Sequence, residues 1–177
     1  MICLFSIQTW AQSGKLFNTD NQLSSNLATQ VFQDKSGFIW IATRNGLNNY
    51  DGYHITIIKK DMSNFLGLNS NYINSIAQDE KEHILLGTNN SLLEFTGSEF
   101  LKIPMLDSKG KELATYVKQI YPLRNKDVAV ATSGYGIMLK KQDEQKCHAM
   151  KGEVEKLKYI HKLLEDKRGR LWIITED

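Results

Sequence analysis

The 177-residue chain has four histidines, twenty carboxylates and two cysteines able to carry acid–base, metal or thiol chemistry. His54, His83, His148 and His161 share no His-x-x-x-His spacing. A metal needs three or four donors converging on one point, so the spacing predicts no metal site and no cofactor. Neighbouring carboxylates occur at Asp79/Glu80, Asp143/Glu144 and Glu165/Asp166. Asp34, Asp79 and Asp166, however, recur at one place in a repeating pattern, which argues for turn-building rather than catalysis. There is no Gly-x-Ser-x-Gly elbow and no phosphate-binding loop. Cys3 and Cys147 lie far apart, Cys147 in a polar stretch, with no metal or redox spacing. The net charge is +2 with both signs mixed along the chain, which predicts no nucleic-acid partner. The short basic runs Lys59-Lys60, Lys140-Lys141 and Lys167-Arg168 read as solvated surface.

Binding potential concentrates instead in turns, where loops on a rigid frame carry function. Arg44, Asn45, Asn89, Asn90, Tyr135 and Glu176 follow recurrent strand ends and are the candidate ligand-binding residues. An aromatic ring can stack on the apolar face of a sugar while amides bond its hydroxyls, so an oligosaccharide is the ligand such turns suit. Trp40 and Trp172 could also serve as sugar platforms, but they hold matching phases of apolar strands and are expected in the core between modules.

The elements that position these turns radiate from the stretch Asp34–Gly52. Asp34-Lys35-Ser36-Gly37 reads as a tight turn, since Asp bonds the turn backbone and Gly closes it. Phe38–Thr43 is a strand of aromatic and β-branched residues, apolar at adjacent positions and therefore buried on both faces. Asn45-Gly46 is the next turn, Leu47–Tyr50 the next strand, Asp51-Gly52 a third turn, and Tyr53–Lys59 a further strand. Ala28–Gln33 supplies the first strand, which makes four short antiparallel strands. The Thr ending the apolar strand recurs as Thr43, Thr88, Thr132 and Thr175, at spacings of 45, 44 and 43 residues. The columns Leu27/Tyr72/Tyr116/Tyr159 and Val31/Ile76/Ile120/Leu163 repeat in step. A period of this length built from four strands is the signature of a propeller blade. The fold class is therefore all-β: a β-propeller fragment, an open arc of about three four-stranded blades plus the start of a fourth.

In chain order, residues 1–12 are apolar with a small residue, Ala11, before Gln12, and read as a signal-peptide-like remnant that would place the protein in the periplasm. Residues 13–22 hold a short strand at Leu16–Thr19, a candidate ring-closing strand, and a polar loop. Blade one spans 23–61, blade two 62–104 and blade three 105–152, the last opening with a polar linker at Met105–Leu113. Blade two puts Glu82 where Gly37 stood and Ser91 where Gly46 stood, and blade three lengthens its second turn to Ser133-Gly134-Tyr135-Gly136. Residues 153–177 form an incomplete fourth blade. Val154, Leu157, Ile160 and Leu164 fall near helical spacing, but the register of Tyr159, Leu163 and Asp166 with the earlier blades favours a strand. The sequence stops at Asp177, two residues after Thr175, and reads as a piece of something longer. A truncated arc would bare an apolar blade face, so self-association through such faces is expected, with the remaining blades of a full-length sensor as the natural partners.

The run Asp-x-x-Gly-x-Ile-Trp-Ile-Ala-Thr-x-x-Gly-Leu-x-x-Tyr-Asp-Gly, with Leu-Ser-Ser-Asn before it, closely resembles the two-component regulator propeller repeat. The resemblance covers residues 16–177. It is fullest in blade one, good in blade two and at Asp166–Thr175, and faintest in blade three. That repeat is typical of the periplasmic sensor region in hybrid two-component regulators of Bacteroides-type bacteria. These regulators carry two seven-bladed propellers and an immunoglobulin-like domain outside the membrane, followed by a transmembrane helix, kinase, receiver and DNA-binding domain. The resemblance implies a non-catalytic periplasmic sensor segment that answers to an oligosaccharide. Kinase activity does not carry over, because no phospho-accepting His box or kinase Gly-rich loop stands in this sequence. The alternatives from other classes are a protein-interaction scaffold and part of a propeller glycosidase or lyase.

Overall fold

The computed structural model describes residues 16–60 and 67–176, so the signal-like segment 1–12 and Cys3 lie outside the described residues. The first sheet contains β1 (Ala28–Gln33), β2 (Ile39–Thr43), β3 (Gly46–Tyr50) and β4 (Ile55–Ile58), paired antiparallel in chain order. The second repeats this with β5 (Ile73–Gln78), β6 (Ile84–Thr88), β7 (Leu92–Phe95) and β8 (Phe100–Ile103). A hairpin, β9 (Met105–Leu106) and β10 (Glu112–Leu113), then joins β11 (Val117–Pro122), β12 (Val128–Thr132), β13 (Ile137–Lys140) and β14 (Cys147–Ala149) in a six-stranded sheet. β15 (Ile160–Glu165) and β16 (Leu171–Thr175) form a final antiparallel pair.

The repeated residues explain the repeated geometry. Asp34, Asp79 and Asp166 each accept backbone N–H groups of their own turn through Oδ1, from Phe38, His83 and Arg170 among others. The Thr column closes the following turn: Thr43 Oγ1 donates to Gly46 O at 2.8 Å, Thr88 Oγ1 to Ser91 O at 3.1 Å and Thr132 Oγ1 to Gly136 O at 2.7 Å. Four positions six residues before each Thr, Gly37, Glu82, Lys126 and Gly169, all have positive φ, at 92°, 65°, 75° and 77°. The turn imposes that conformation even where the residue is not glycine.

β1, β5, β11 and β15 stand side by side as inner strands and are laced together by side chains reaching the next blade's backbone. Gln30 bonds both N–H and C=O of Ile76 at 2.9 Å, Ser75 Oγ accepts from Ile120 N, and Gln119 Oε1 accepts from Leu163 N at 2.7 Å. Three apolar clusters lie one at each junction of neighbouring blades, the first holding Trp40, Ile73 and Leu86, the second Leu85, Met105 and Val117, the third Ala131, Ile137 and Ile160. Burial between blades, not within them, builds the core.

Five local readings change. Lys140, read as solvated surface, is 2% exposed and lies against Asp79 of blade two. Leu16–Thr19 is not a strand: the chain is irregular there and turns through a 3₁₀ segment at Thr19–Asn21, because the Asn18 and Asn26 side chains take the N–H groups of Asp20 and Thr19. Met105–Leu113 is no linker but the β9–β10 hairpin. Met105 and Leu113 are buried, and Asp107 Oδ1 accepts from Lys109 and Lys111 N–H groups across the turn. Cys147, in a polar stretch of sequence, is fully buried in the second cluster, which pushes its thiol up to about 12. Glu153–Lys156 takes a 3₁₀ turn, and the chain is a strand from Ile160.

Candidate functional site

Each inner strand carries the same defect. Its pairing slips by one residue between Ala28 and Gln30, Ile73 and Ser75, Val117 and Gln119, and Ile160 and Lys162. A bulge leaves one residue unpaired and re-aims its side chain. The unpaired residues are Thr29, Asn74, Lys118 and His161, one per blade. Three of them, Thr29, Asn74 and Lys118, line one cavity of about 390 Å³ together with Arg44, Tyr72 and Tyr116. It lies at the end of the inner strands where the blades begin.

The cavity's side chains are organised among themselves. The Tyr72 and Tyr116 rings meet edge-on with centroids 6.1 Å apart. Tyr116 Oη donates to Asn74 Oδ1 at 2.7 Å. Arg44 Cζ stands 5.6 Å from the Tyr72 ring centroid, and Lys118 Nζ stands 5.1 Å from that of Tyr116. Burial, then the neighbouring Tyr72 hydroxyl, pushes the Tyr116 phenol up to about 12, against the pull of Arg44. The phenol therefore stays protonated and remains a donor. Asn74 Nδ2 is buried with no partner among the described residues.

Of the residues singled out in the sequence, only Arg44 reaches this cavity. Asn45 serves its own turn, its N–H donating to Thr43 Oγ1. Asn89 Oδ1 accepts from Ser70 Oγ and Asn90 Oδ1 from Thr88 Oγ1, so both brace blade two. Tyr135 is half exposed on the long turn of blade three. Glu176 pairs with the bulged His161, Oε1 to Nε2 at 2.6 Å. The missed residues had a signal. Ala28-Thr29-Gln30, Ile73-Asn74-Ser75, Val117-Lys118-Gln119 and Ile160-His161-Lys162 each put two polar residues in succession where a strand should alternate. The tyrosines were visible as a repeat column but not as a surface.

A second cluster forms where the histidine spacing gave no hint. Asp79, His83 and Glu94 place one ligand atom each within 4.8 Å of one another. His83 Nδ1 lies 3.0 Å from Glu94 Oε1, and Lys140 Nζ of blade three lies 3.8 Å from Asp79 Oδ2. The set has the donors for a cation, but the Lys140 ammonium already brings positive charge against it. The Asp79 and Glu94 carboxylates are almost wholly buried between blades, where no substrate would reach them.

Trp40 is buried, 6% exposed, with its indole N–H donating to Asp34 Oδ2 at 2.8 Å. Trp172 makes the same bond to Asp166 Oδ2 at 3.0 Å, yet it is 56% exposed, so it is not core among the described residues.

The sequence matches the two component regulator propeller family over residues 22–45, 67–90 and 156–177. No curated protein matches it by sequence. Its fold is similar to that of the extracellular domain of the hybrid two component system BT4673 from B. thetaiotaomicron, with a TM-score of 0.73 and 17% identity over 85% of this chain. It is also similar to the extracellular domain of the hybrid two component system BT3049 from the same organism, with a TM-score of 0.56, 16% identity and 91% of this chain covered. A third similar structure is PorZ, a surface component of the type-IX secretion system of Porphyromonas gingivalis, with a TM-score of 0.64, 18% identity and 86% of this chain covered. The chain spans 22%, 29% and 25% of these three proteins, respectively. Among the described residues, no helix is long and apolar enough to cross a membrane.

Proposed function

From a chain built of two-component regulator propeller repeats, we propose a non-catalytic sensor segment of an extracytoplasmic, periplasmic receptor that binds an oligosaccharide at the bulge-lined mouth of the blades. The observation that carries this reading is the convergence of Tyr72, Tyr116, Asn74, Arg44 and Lys118 on one cavity of about 390 Å³. Rings offer faces to a sugar, and the cations offer hydrogen bonds around its rim. Binding would report to the rest of a receptor only by favouring one arrangement of the propellers over another.

Against an enzyme stands the placement of the carboxylates. Asp79 and Glu94, whose carboxylate oxygens lie within 4.8 Å of one another, are almost wholly buried, and no Asp or Glu lines the mouth. The scaffold alternative draws on blade four, whose outward face exposes Leu164, Trp172 and Ile174. By the pattern of blade two on blade one, the occupant of that face is another blade of the same repeat, and the isolated chain associates through it. Calorimetric titration of the chain against a panel of oligosaccharides, with chromatography of the mixture afterwards, tests the reading. Saturable heat with intact glycan supports sensing. Shortened glycan makes the protein an enzyme, and no heat with any glycan sinks the oligosaccharide reading.

A further inference from the structure

The mouth differs from an ordinary neutral-sugar site in its balance of donors and acceptors. None of its eight lining residues is Asp or Glu. Sugar hydroxyls donate as well as accept, so a neutral glycan calls for acceptors around it, carboxylates being the strongest. Here the side-chain supply is weighted to donors by two cations, the Arg44 guanidinium and the Lys118 ammonium.

The two cations are also available: among the described residues, neither Arg44 nor Lys118 has a carboxylate within 4.0 Å, and none lines the mouth. Both instead rest over tyrosine rings, which hold them at the cavity without neutralising them. The repeat makes this a local choice. Arg44 follows the Thr of blade one, and the same position holds Asn89, Ser133 and Glu176 in the later blades. Lys118 is the bulge residue of blade three, and the bulge elsewhere holds Thr29, Asn74 and His161. Where a bulged base recurs, at His161, Glu176 sits on it at 2.6 Å. Between blades one and three no acid plays that part.

Resting on the oligosaccharide reading above, we propose that the ligand is an acidic glycan, whose carboxylate or sulfate is held between Arg44 and Lys118 while a sugar ring lies against Tyr72 or Tyr116. The anion supplies the negative charge that the lining lacks. The Tyr116 hydroxyl, protonated and donating to Asn74, does not repel it.

Four probes test this by calorimetry on the full chain: tetragalacturonate, its fully methyl-esterified form, a sulfated neocarratetraose and its desulfated counterpart. The expected result is that at least one acidic probe binds about tenfold or more tighter than its uncharged partner, with affinity falling as salt rises. Which pair shows the difference separates carboxylate from sulfate. Arg44→Gln and Lys118→Gln are each expected to weaken that probe by about tenfold or more, while Lys151→Gln, on another face, leaves it unchanged. Equal binding of charged and uncharged partners overturns the acidic assignment and leaves the oligosaccharide reading standing. Equal loss in Lys151→Gln makes the binding general charge attraction and overturns the site. No binding by these four or by a broad array of neutral glycans overturns both readings. Circular dichroism of each variant confirms folding, and the salt dependence of the unmodified chain tests the charge without any substitution.

Discussion

The junction between blades one and two and the junction between blades two and three solve one packing problem by different chemistry. At the first, Trp40 of β2 meets Phe95 of β7 edge-on, centroids 5.8 Å apart, and its indole N–H satisfies Asp34. At the second, Leu85 stands where Trp40 stood, and Lys140 stands where Phe95 stood. Without an indole, Asp79 has a buried Oδ2 to satisfy, and Lys140 reaches back from blade three to within 3.8 Å of it. The two departures from the repeat are one exchange: an aromatic pair with an internal hydrogen bond has become an apolar side chain with an ion pair across blades. A blade is therefore not the unit in which the sequence is consistent. The junction is.

The exchange can be broken from either side. Trp40→Ala removes a buried ring and leaves Asp34 Oδ2 without its donor, so a loss of about 3–5 kcal/mol is expected in urea unfolding. Trp172→Ala, the same residue one arc further on, should lose only about 1 kcal/mol, because that ring is 56% exposed. Equal losses at the two tryptophans would mean that the blade-four face is covered in solution, and the mass of the chain by sedimentation would say by what.

Lys140→Met keeps the volume and deletes the charge. Lys140 is 2% exposed and Asp79 5%, so a loss of about 3 kcal/mol is expected as the buried Asp79 Oδ2 loses its ammonium and keeps only the His83 ring, 3.9 Å away, beside it. Asp79→Asn with Lys140→Met should recover most of it, since replacing both members of a buried pair is often nearly neutral. A double variant no better than Lys140→Met would locate the loss in packing and end the idea of an exchanged pair.

A third compensation is steric. Ala42 and Ala131 precede the Thr in blades one and three, but blade two has Gly87. A Cβ there would stand 2.5 Å from Val117 Cγ1 of the next inner strand. Gly87→Ala is expected to destabilise by about 1–3 kcal/mol, and Gly87→Ala with Val117→Ala by less than the sum of the two single changes. Strict additivity, read from the same unfolding curves, would show that the two positions do not press on each other.

The period, the strands and the turn-building role of Asp34, Asp79 and Asp166 were legible because each rests on local chemistry repeated in step. The inter-blade partnerships were not, since no local pattern says that Lys140 answers Asp79 or that Val117 answers Gly87. The site was legible only in part for the same reason. Arg44 stood out as a departure from the repeat on a turn, but Asn45, Asn89 and Asn90 carry amides that the turns themselves consume. Asn74 and Lys118 sit inside strands, where a bulge turns them outward, and only the broken alternation marked them. Residues of the β9–β10 hairpin escaped because two residues per strand give no periodicity to read.

The smallest effect separates what the indole does from what its burial does. Asp166 makes the same turn and the same indole bond as Asp34, but at an exposed tryptophan. Its carboxyl is held at about 2, below the ordinary 3.8, first by the Trp172 indole N–H and further by hydrogen bonds from Arg170 and Arg168. A carboxyl held low stabilises the fold fully above its ordinary value, and that contribution is lost as pH falls through about 2. Trp172→Phe removes the largest donor and leaves the backbone donors, so the titration of Asp166, followed by carboxyl carbon resonance, should move up from about 2 part of the way toward 3.8. If the midpoint stays where it was, the turn's own N–H groups hold the charge, and the tryptophan of this repeat is there only for the blade that packs on it. If it moves, the indole bond acts on the acid even where nothing covers the ring, and the difference between the two tryptophans lies in burial alone.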